Sequence, residues 1–205
     1  MVRGMTLIAL FGWLIFLLLA FVLRTVMHLI TTGKSGFAGM HGRPLSLEWW
    51  GGVLFVLACL GCPLACLLDF LGVLPRSPLL SGPVSVSVGV AAYAIGLCGT
   101  LWAQLVMGAS WRIGVDPSAK TALIIKGPFR YVRNPIFSCM MVLALGLALL
   151  VPNLVSALSA LALLIGLEIQ VRIVEEPYLL RVHGDSYRTY AQATGRFFPG
   201  LGQLR

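Results

Sequence analysis

Two groups of side chains in this sequence have the types and spacing to do chemistry. The first runs Lys126-Gly127-Pro128-Phe129-Arg130-Tyr131-Val132-Arg133-Asn134-Pro135-Ile136-Phe137. Gly127-Pro128 reads as a turn, because proline presets its φ and glycine permits unusual values. Arg130 and Arg133 then present two guanidinium groups beside the rings of Phe129 and Tyr131. Pro135 lacks an N–H and suits the first turn of a helix beginning there. The expectation is a cationic, tightly turned segment at the mouth of a membrane helix, placed as a cofactor site. The second group is Glu168, Arg172, Glu175 and Glu176. Spacings of four and three put the first three on one helical face, with Glu176 adjacent. Ionisable residues at membrane depth are costly unless paired or lining a wet cavity. An ion-pair ladder is one reading of them. A ligand site is the other, since two adjacent carboxylates exceed what one arginine needs. Arginines on one side and glutamates on the other suit a zwitterion, the first for its carboxylate and the second for its ammonium or hydroxyls.

Other constellations are weaker. Arg112 and Asp116 form a polar pair that reads equally as a local bridge and as a substrate contact. His28, His41 and His183 are too scattered for a metal site. Cys59, Cys62, Cys66, Cys98 and Cys139 all fall within apolar runs. Cys59 and Cys62 make a CxxC, but no ligating histidine or βαβ pattern accompanies it, so cysteine as a small hydrophobe is the better reading. The sequence has no Gly-x-Gly-x-x-Gly loop and no Ser–His–Asp arrangement. Pro177, one turn after Ile173, is expected to bend its helix and free a carbonyl.

The elements that must position these residues are membrane helices. The chain of 205 residues is 59% hydrophobic and 11% charged, with mean hydropathy +0.94, against about a quarter charged in soluble domains. We read a single all-α integral membrane domain over 1–205 with about five transmembrane helices and a short amphipathic C-terminal helical segment. Leu7 to about Leu23 is the first span, a retained one, since it outruns a signal-peptide core. A polar connection from Arg24 to Trp50 follows, ending in an interfacial Trp49-Trp50 belt. The second span is Gly52–Leu71, with Pro63 bending it and Asp69 near its end reaching headgroups. Val84–Met107 is the third, carrying Ala92, Gly96, Gly99 and Ala103 for close helix approach. After a second polar connection over 108–134 come Pro135–Val151 and Leu154 to about Val171, joined by a tight turn at Pro152-Asn153. Gly184 ends the helix beyond, Asp185 caps a short one whose face carries Tyr187 and Tyr190, and Gly195 stops it. Residues 1–83 thus form two N-terminal spans and 84–205 a core.

The net charge of +8 does not indicate nucleic acid, because the basic residues lie between apolar runs. Of the 15 Lys and Arg, 13 fall in 24–50, 108–134 and the C-terminal part from Arg172, leaving only Arg3 and Arg76 opposite. That asymmetry predicts an N-terminus outside and a C-terminus and site facing the cytoplasm.

The block Gly127 to Pro135, the apolar hairpin after it, Glu175-Glu176-Pro177-Tyr178-Leu179, and the tail residues Gly184, Tyr187, Tyr190, Arg196 and Pro199 together resemble the isoprenylcysteine carboxyl methyltransferase family over about residues 100–200. The resemblance implies an integral membrane methyltransferase using S-adenosylmethionine. It implies a cofactor enclosed by Gly127, Pro128, Phe129, Arg130, Tyr131, Arg133, Asn134, Pro135, Phe137, Glu175, Glu176, Tyr187 and Tyr190. It also implies a lipophilic methyl acceptor arriving from the bilayer. The family usually has histidine at Asn134 and tyrosine at Phe137; Asn134 can still donate and accept, whereas Phe137 has no hydroxyl. Methyl transfer from a sulfonium needs positioning more than covalent help. A carboxylate acceptor needs no base and an amine does. With Arg112, Arg130, Arg133 and Arg172 on this side and no well-placed histidine, an anionic acceptor is favoured, and Arg112, Arg172 and Glu168 take the catalytic roles beside it. The competing readings are an NADPH-dependent reductase of the sterol-reductase type and a non-catalytic membrane scaffold or transporter. Oligomeric state is left open.

Overall fold

A computed structural model describes residues 2–37, 39, 42–114 and 122–204. His41, Asp116 and the expected Arg112–Asp116 bridge lie outside the described residues. Helices α1 (Val2–Leu17) and α2 (Arg24–Thr32) are joined without a break by a π-helical stretch, Leu18–Leu23. They are followed by α3 (Leu47–Phe70), α4 (Pro83–Met107) and α5 (Pro135–Leu150). Helix α6 (Leu154–Ile169) continues through a second π stretch, Gln170–Glu175, into α7 (Glu176–His183), and α8 (Asp185–Ala193) closes the series. Four of these runs, Arg3–Thr32, Leu47–Phe70, Pro83–Ser110 and Leu154–His183, are long and apolar enough to cross a bilayer, and Pro135–Leu150 is a shorter apolar helix. In hydrocarbon every backbone donor needs an internal partner, which is why such apolar runs are helical.

The helix starts follow from local chemistry. Ser46 caps α3 by accepting from Trp49 N, and Pro83 and Pro135 open α4 and α5 where a missing N–H costs nothing. Asn153 and Ser156 cap α6 reciprocally.

The four long runs and the shorter α5 are fastened at both ends. At one end Asp69 is buried, not directed at headgroups: Arg76 donates to it from Nε at 2.7 Å and from Nη2 at 2.8 Å, and Thr6 donates from its hydroxyl. The turn between α5 and α6 is tucked under this cluster, with Ser77 N donating to Pro152 O at 2.7 Å and Asn153 Nδ2 to Ala65 O at 3.0 Å. Sixteen residues of α5 rise only about 24 Å, short of a hydrocarbon core of ~30 Å, so this hairpin reverses without a polar loop.

The small residues of α4 let α5 approach closely, as their spacing predicts. A Cβ at Gly96 would lie 2.6 Å from Cys139 O, and one at Gly146 would lie 2.6 Å from Tyr93 N. Gly51 on α3 and Gly166 on α6 make a second close crossing, where a Cβ on Gly166 would stand 3.0 Å from Gly51 O. Cys59 and Cys66 are free thiols packed into the apolar core with Trp13, Phe16 and Leu143.

The largest departure from the sequence reading is at Arg24. The first helix does not end there but runs on to Thr32, and Arg24 and His28 are buried. Arg24 Nη2 donates to Gly108 O at 2.6 Å and Gln104 O at 3.3 Å, and its guanidinium lies 4.8 Å from the Trp111 ring centroid. His28 meets the same indole edge-on at 5.6 Å. The fifth span likewise runs on past Val171, because the π stretch carries the helix into α7 and places Pro177 in the first turn of α7.

Candidate functional site

At the end opposite Asp69 the helices splay around a cavity of about 420 Å³, within the range of small-molecule sites. Its apolar part is lined by Phe21 from the π stretch of the first run, Phe55 and Val56 from α3, Met140 from α5 and Leu167 from α6. Its polar rim is made by Arg112, Arg133, Asn134, Gln170 and Glu175, with Trp111, Phe129, Tyr178, Tyr187 and Tyr190 between the two zones. Gly51 and Gly166 lie in the wall at the α3–α6 crossing.

Each part of the rim has a local cause. Gly127 takes φ +59° and starts a single 3-10 turn, Gly127–Arg130, that buries Pro128 and Phe129. The chain then pairs with the tail: Arg133 N donates to Gly195 O at 2.8 Å and Asn134 N to Arg196 O at 3.1 Å. Ser138, one turn into α5, donates to Phe197 O at 2.7 Å. Tyr190 donates to Phe129 O at 2.5 Å, and burial pushes its phenol up to about 12. Burial raises Tyr187 too, and this ring is completely enclosed. Both phenols therefore stay protonated donors at neutral pH.

The two glutamates, adjacent in sequence, do different things. Glu176 is buried behind the wall, and its Oε1 accepts from Arg133 Nη2 at 2.6 Å and Arg196 Nε at 2.8 Å. Its Oε2 accepts from Arg196 Nη2 at 2.9 Å. This carboxylate holds Arg196 charged, raising the guanidinium above its ordinary value. Arg133 also donates to Ala191 O and Gly202 O, both at 2.9 Å, and to Thr194 O. Glu175 instead turns into the cavity, where Gln170 hydrogen-bonds it.

The cavity brings together nine of the residues expected at the site: Arg112, Phe129, Arg133, Asn134, Pro135, Phe137, Glu175, Tyr187 and Tyr190. It does not reach Gly127, Pro128, Arg130, Tyr131 or Glu176. Arg130 and Tyr131 are exposed, the latter by 63%. Glu168 and Arg172 pair with each other on the outer face of the helix, away from the cavity, because the wider π winding carries Glu175 off the stripe they share. Among the residues that sequence reasoning missed are Phe21 in the π stretch of the first run, Gly51, Phe55 and Val56 on α3, Gln104 on α4 and Gln170. A glutamine in the last turn of an otherwise apolar span was the one available signal.

The cavity's donor set fits S-adenosylmethionine. Arg133 Nε is buried with no well-formed hydrogen bond among the described residues, the Tyr187 hydroxyl being the polar group beside it. Asn134 and Glu175 offer a neutral amide and a carboxylate on the same wall, and the aromatic rings offer faces for a flat base and a sulfonium.

The family model described as phospholipid methyltransferase matches residues 84–186, from α4 to the start of α8. Among curated proteins, the nickel-cobalt-cadmium resistance protein NccN of Alcaligenes xylosoxydans xylosoxydans is 28% identical over 120 residues, which is 58% of this chain and 52% of that protein. The chain therefore spans about half the length of that relative.

Proposed function

From the premise that the chain belongs to the phospholipid methyltransferase family, a family of isoprenylcysteine carboxyl methyltransferase-like membrane methyltransferases, we propose that it moves a methyl group from S-adenosylmethionine to a lipophilic acceptor with an anionic head. The observation that carries this reading is the continuity of one cavity from an apolar part at Phe21, Phe55 and Leu167 to a rim at Arg112, Arg133, Asn134 and Glu175. A polar methyl donor and a lipid meet in such a space without either being fully transferred into the other's solvent.

When bound, S-adenosylmethionine supplies a methyl carbon made electrophilic by its sulfonium. The residues supply placement, the larger part of catalysis for an in-line displacement. Glu175 would hold the ligand's ammonium, Arg133 and Asn134 its carboxylate, and the rings of Phe129, Phe137, Tyr187 and Tyr190 would exclude water. Arg112, 5.6 Å from the Tyr178 ring, holds the acceptor's head, and a carboxylate there needs no base to attack. The tail lies against Phe21, Phe55 and Val56, having entered sideways from the bilayer near α5 and α6. The basic end of the bundle faces the cytoplasm in this reading, in keeping with its share of Lys and Arg.

Purified protein in nanodiscs, given S-adenosylmethionine with a radiolabelled methyl and a membrane lipid extract, is expected to label the lipid-soluble fraction. Equilibrium binding of S-adenosylhomocysteine should be measured alongside. Absence of binding, with the protein folded, refutes the donor assignment; label confined to water-soluble products refutes the lipophilic acceptor.

A further inference from the structure

Gln104 lies in the last turn of α4, is only 3% exposed, and lines the cavity together with apolar Phe21 and Met107 and with Trp111 and Arg112. Its Nε2 donates to Ala20 O at 2.9 Å. Ala20 sits in the π stretch Leu18–Leu23, next to Phe21 of the apolar wall. That carbonyl decides the orientation of the amide, because the reverse orientation would set oxygen against oxygen. Oε1 is thereby fixed as an acceptor, and it is buried with no hydrogen-bond partner among the described residues. A buried acceptor left unmatched is costly, and the bond to Ala20 O accounts for the Nε2 end of the amide but leaves Oε1 without a role in the packing. The backbone of the same residue is also held, since Arg24 Nη2 donates to Gln104 O. Arg24 in turn stacks on Trp111, another wall residue.

Resting on the methyl-transfer reading, we propose that Gln104 Oε1 is a specificity element. It selects acceptors carrying an N–H or O–H donor between the anionic head and the apolar tail, such as the amide link of an N-acylated amino acid. Head, donor and tail would then meet Arg112, Gln104 and the Phe21–Phe55 wall in order. A lipid joined to its head only through an ester or thioether presents no donor at that point, and an ester oxygen would face Oε1 lone pair to lone pair.

The test compares N-dodecanoylglycine with O-dodecanoylglycolate, which differ only in an N–H replaced by oxygen, binding to the full chain in nanodiscs. Calorimetry should show the amide binding about tenfold tighter, the scale of one buried hydrogen bond and its unmatched alternative. In Gln104→Leu and Gln104→Met the two lipids should bind within about twofold of each other, while S-adenosylhomocysteine binding stays at the wild-type level and certifies the fold. Equal binding of the pair to wild type overturns the proposal without any variant. A preference that survives in either substitution overturns it as well. Methyl transfer is scored separately: a retained amide preference with no lipid methylation refutes the proposed activity and leaves the donor-reading site standing.

Discussion

Replacing Glu176 by glutamine keeps the shape of the side chain and removes its charge from between two buried guanidinium groups. Side-chain exposure is 7% for Glu176, 1% for Arg133 and 11% for Arg196, so water screens little of the interaction. Three charge-assisted hydrogen bonds, at 2.6, 2.8 and 2.9 Å, converge on the carboxylate. An amide accepts through one end only and points its NH2 at an arginine with the other. Breaking a buried pair by neutralising one partner costs about 3–5 kcal/mol, a large share of a total stability of about 5–15 kcal/mol. At roughly 2–4 °C per kcal/mol for a chain of this size, Glu176→Gln should melt about 6–20 °C below wild type. Glu168→Gln is the matched control. Its pair with Arg172 has exposures of 35% and 56%, so about 0–1 kcal/mol is at stake and the melt should move no more than about 4 °C. Tryptophan-fluorescence melts in detergent read both variants. A Glu176→Gln protein that melts with wild type and loses only S-adenosylhomocysteine affinity would refute the clasp and return Glu176 to the ligand.

Glu175→Gln should behave oppositely, weakening S-adenosylhomocysteine binding by about tenfold or more through loss of a charge-assisted bond while leaving the melting temperature in place; titration calorimetry and the same melts check this. Gly96→Ala should destabilise by about 1–3 kcal/mol, because its Cβ would meet the Cys139 carbonyl and Leu143 N at 2.6 Å, neither of which can turn aside. A chemical-denaturation midpoint equal to wild type would contradict the close α4–α5 approach.

What the sequence makes legible is whatever depends on near neighbours. The apolar runs, Pro135 at the start of α5 and the small-residue spacing on α4 all announce themselves locally, although the first and last runs extend beyond the ends expected of them. Arg24 does not: polar residues after an apolar run read as a loop, and the partners that bury Arg24, the carbonyls of Gln104 and Gly108, are 80 and 84 residues away. Asp69 is a mixed case: Arg76, which pairs with it, is only seven residues away, but Thr6, which closes the cluster, stands 63 residues earlier. The site was legible as a region, with Arg133, Asn134, Phe137 and Glu175 all on the cavity wall. The division of labour within it was not. Helical periodicity of 3.6 residues assigns Glu168, Arg172 and Glu175 to one face, and it is the π stretch at 170–175 that separates them. Arg130 and Arg133 carry the same charge three residues apart, yet only Arg133 meets the carbonyls of 191–202 that draw it inward.

The dependence of Arg133 on that tail has a consequence for how the protein is made. Its carbonyl partners Ala191, Thr194 and Gly202 follow it by 58, 61 and 69 residues, and Arg196 follows Glu176 by 20. All of these come after the last apolar helix. During synthesis the apolar helices can therefore be inserted and packed while the rim of the cavity still lacks the C-terminal segment that holds Arg133 and Asn134 in place. The apolar helices would be packed before ligand can be retained, and competence would arrive only once residues 191–202 are translated. A ribosome-tethered chain stopped before Gly195 should show the helices protected from protease and no capture of S-adenosylhomocysteine.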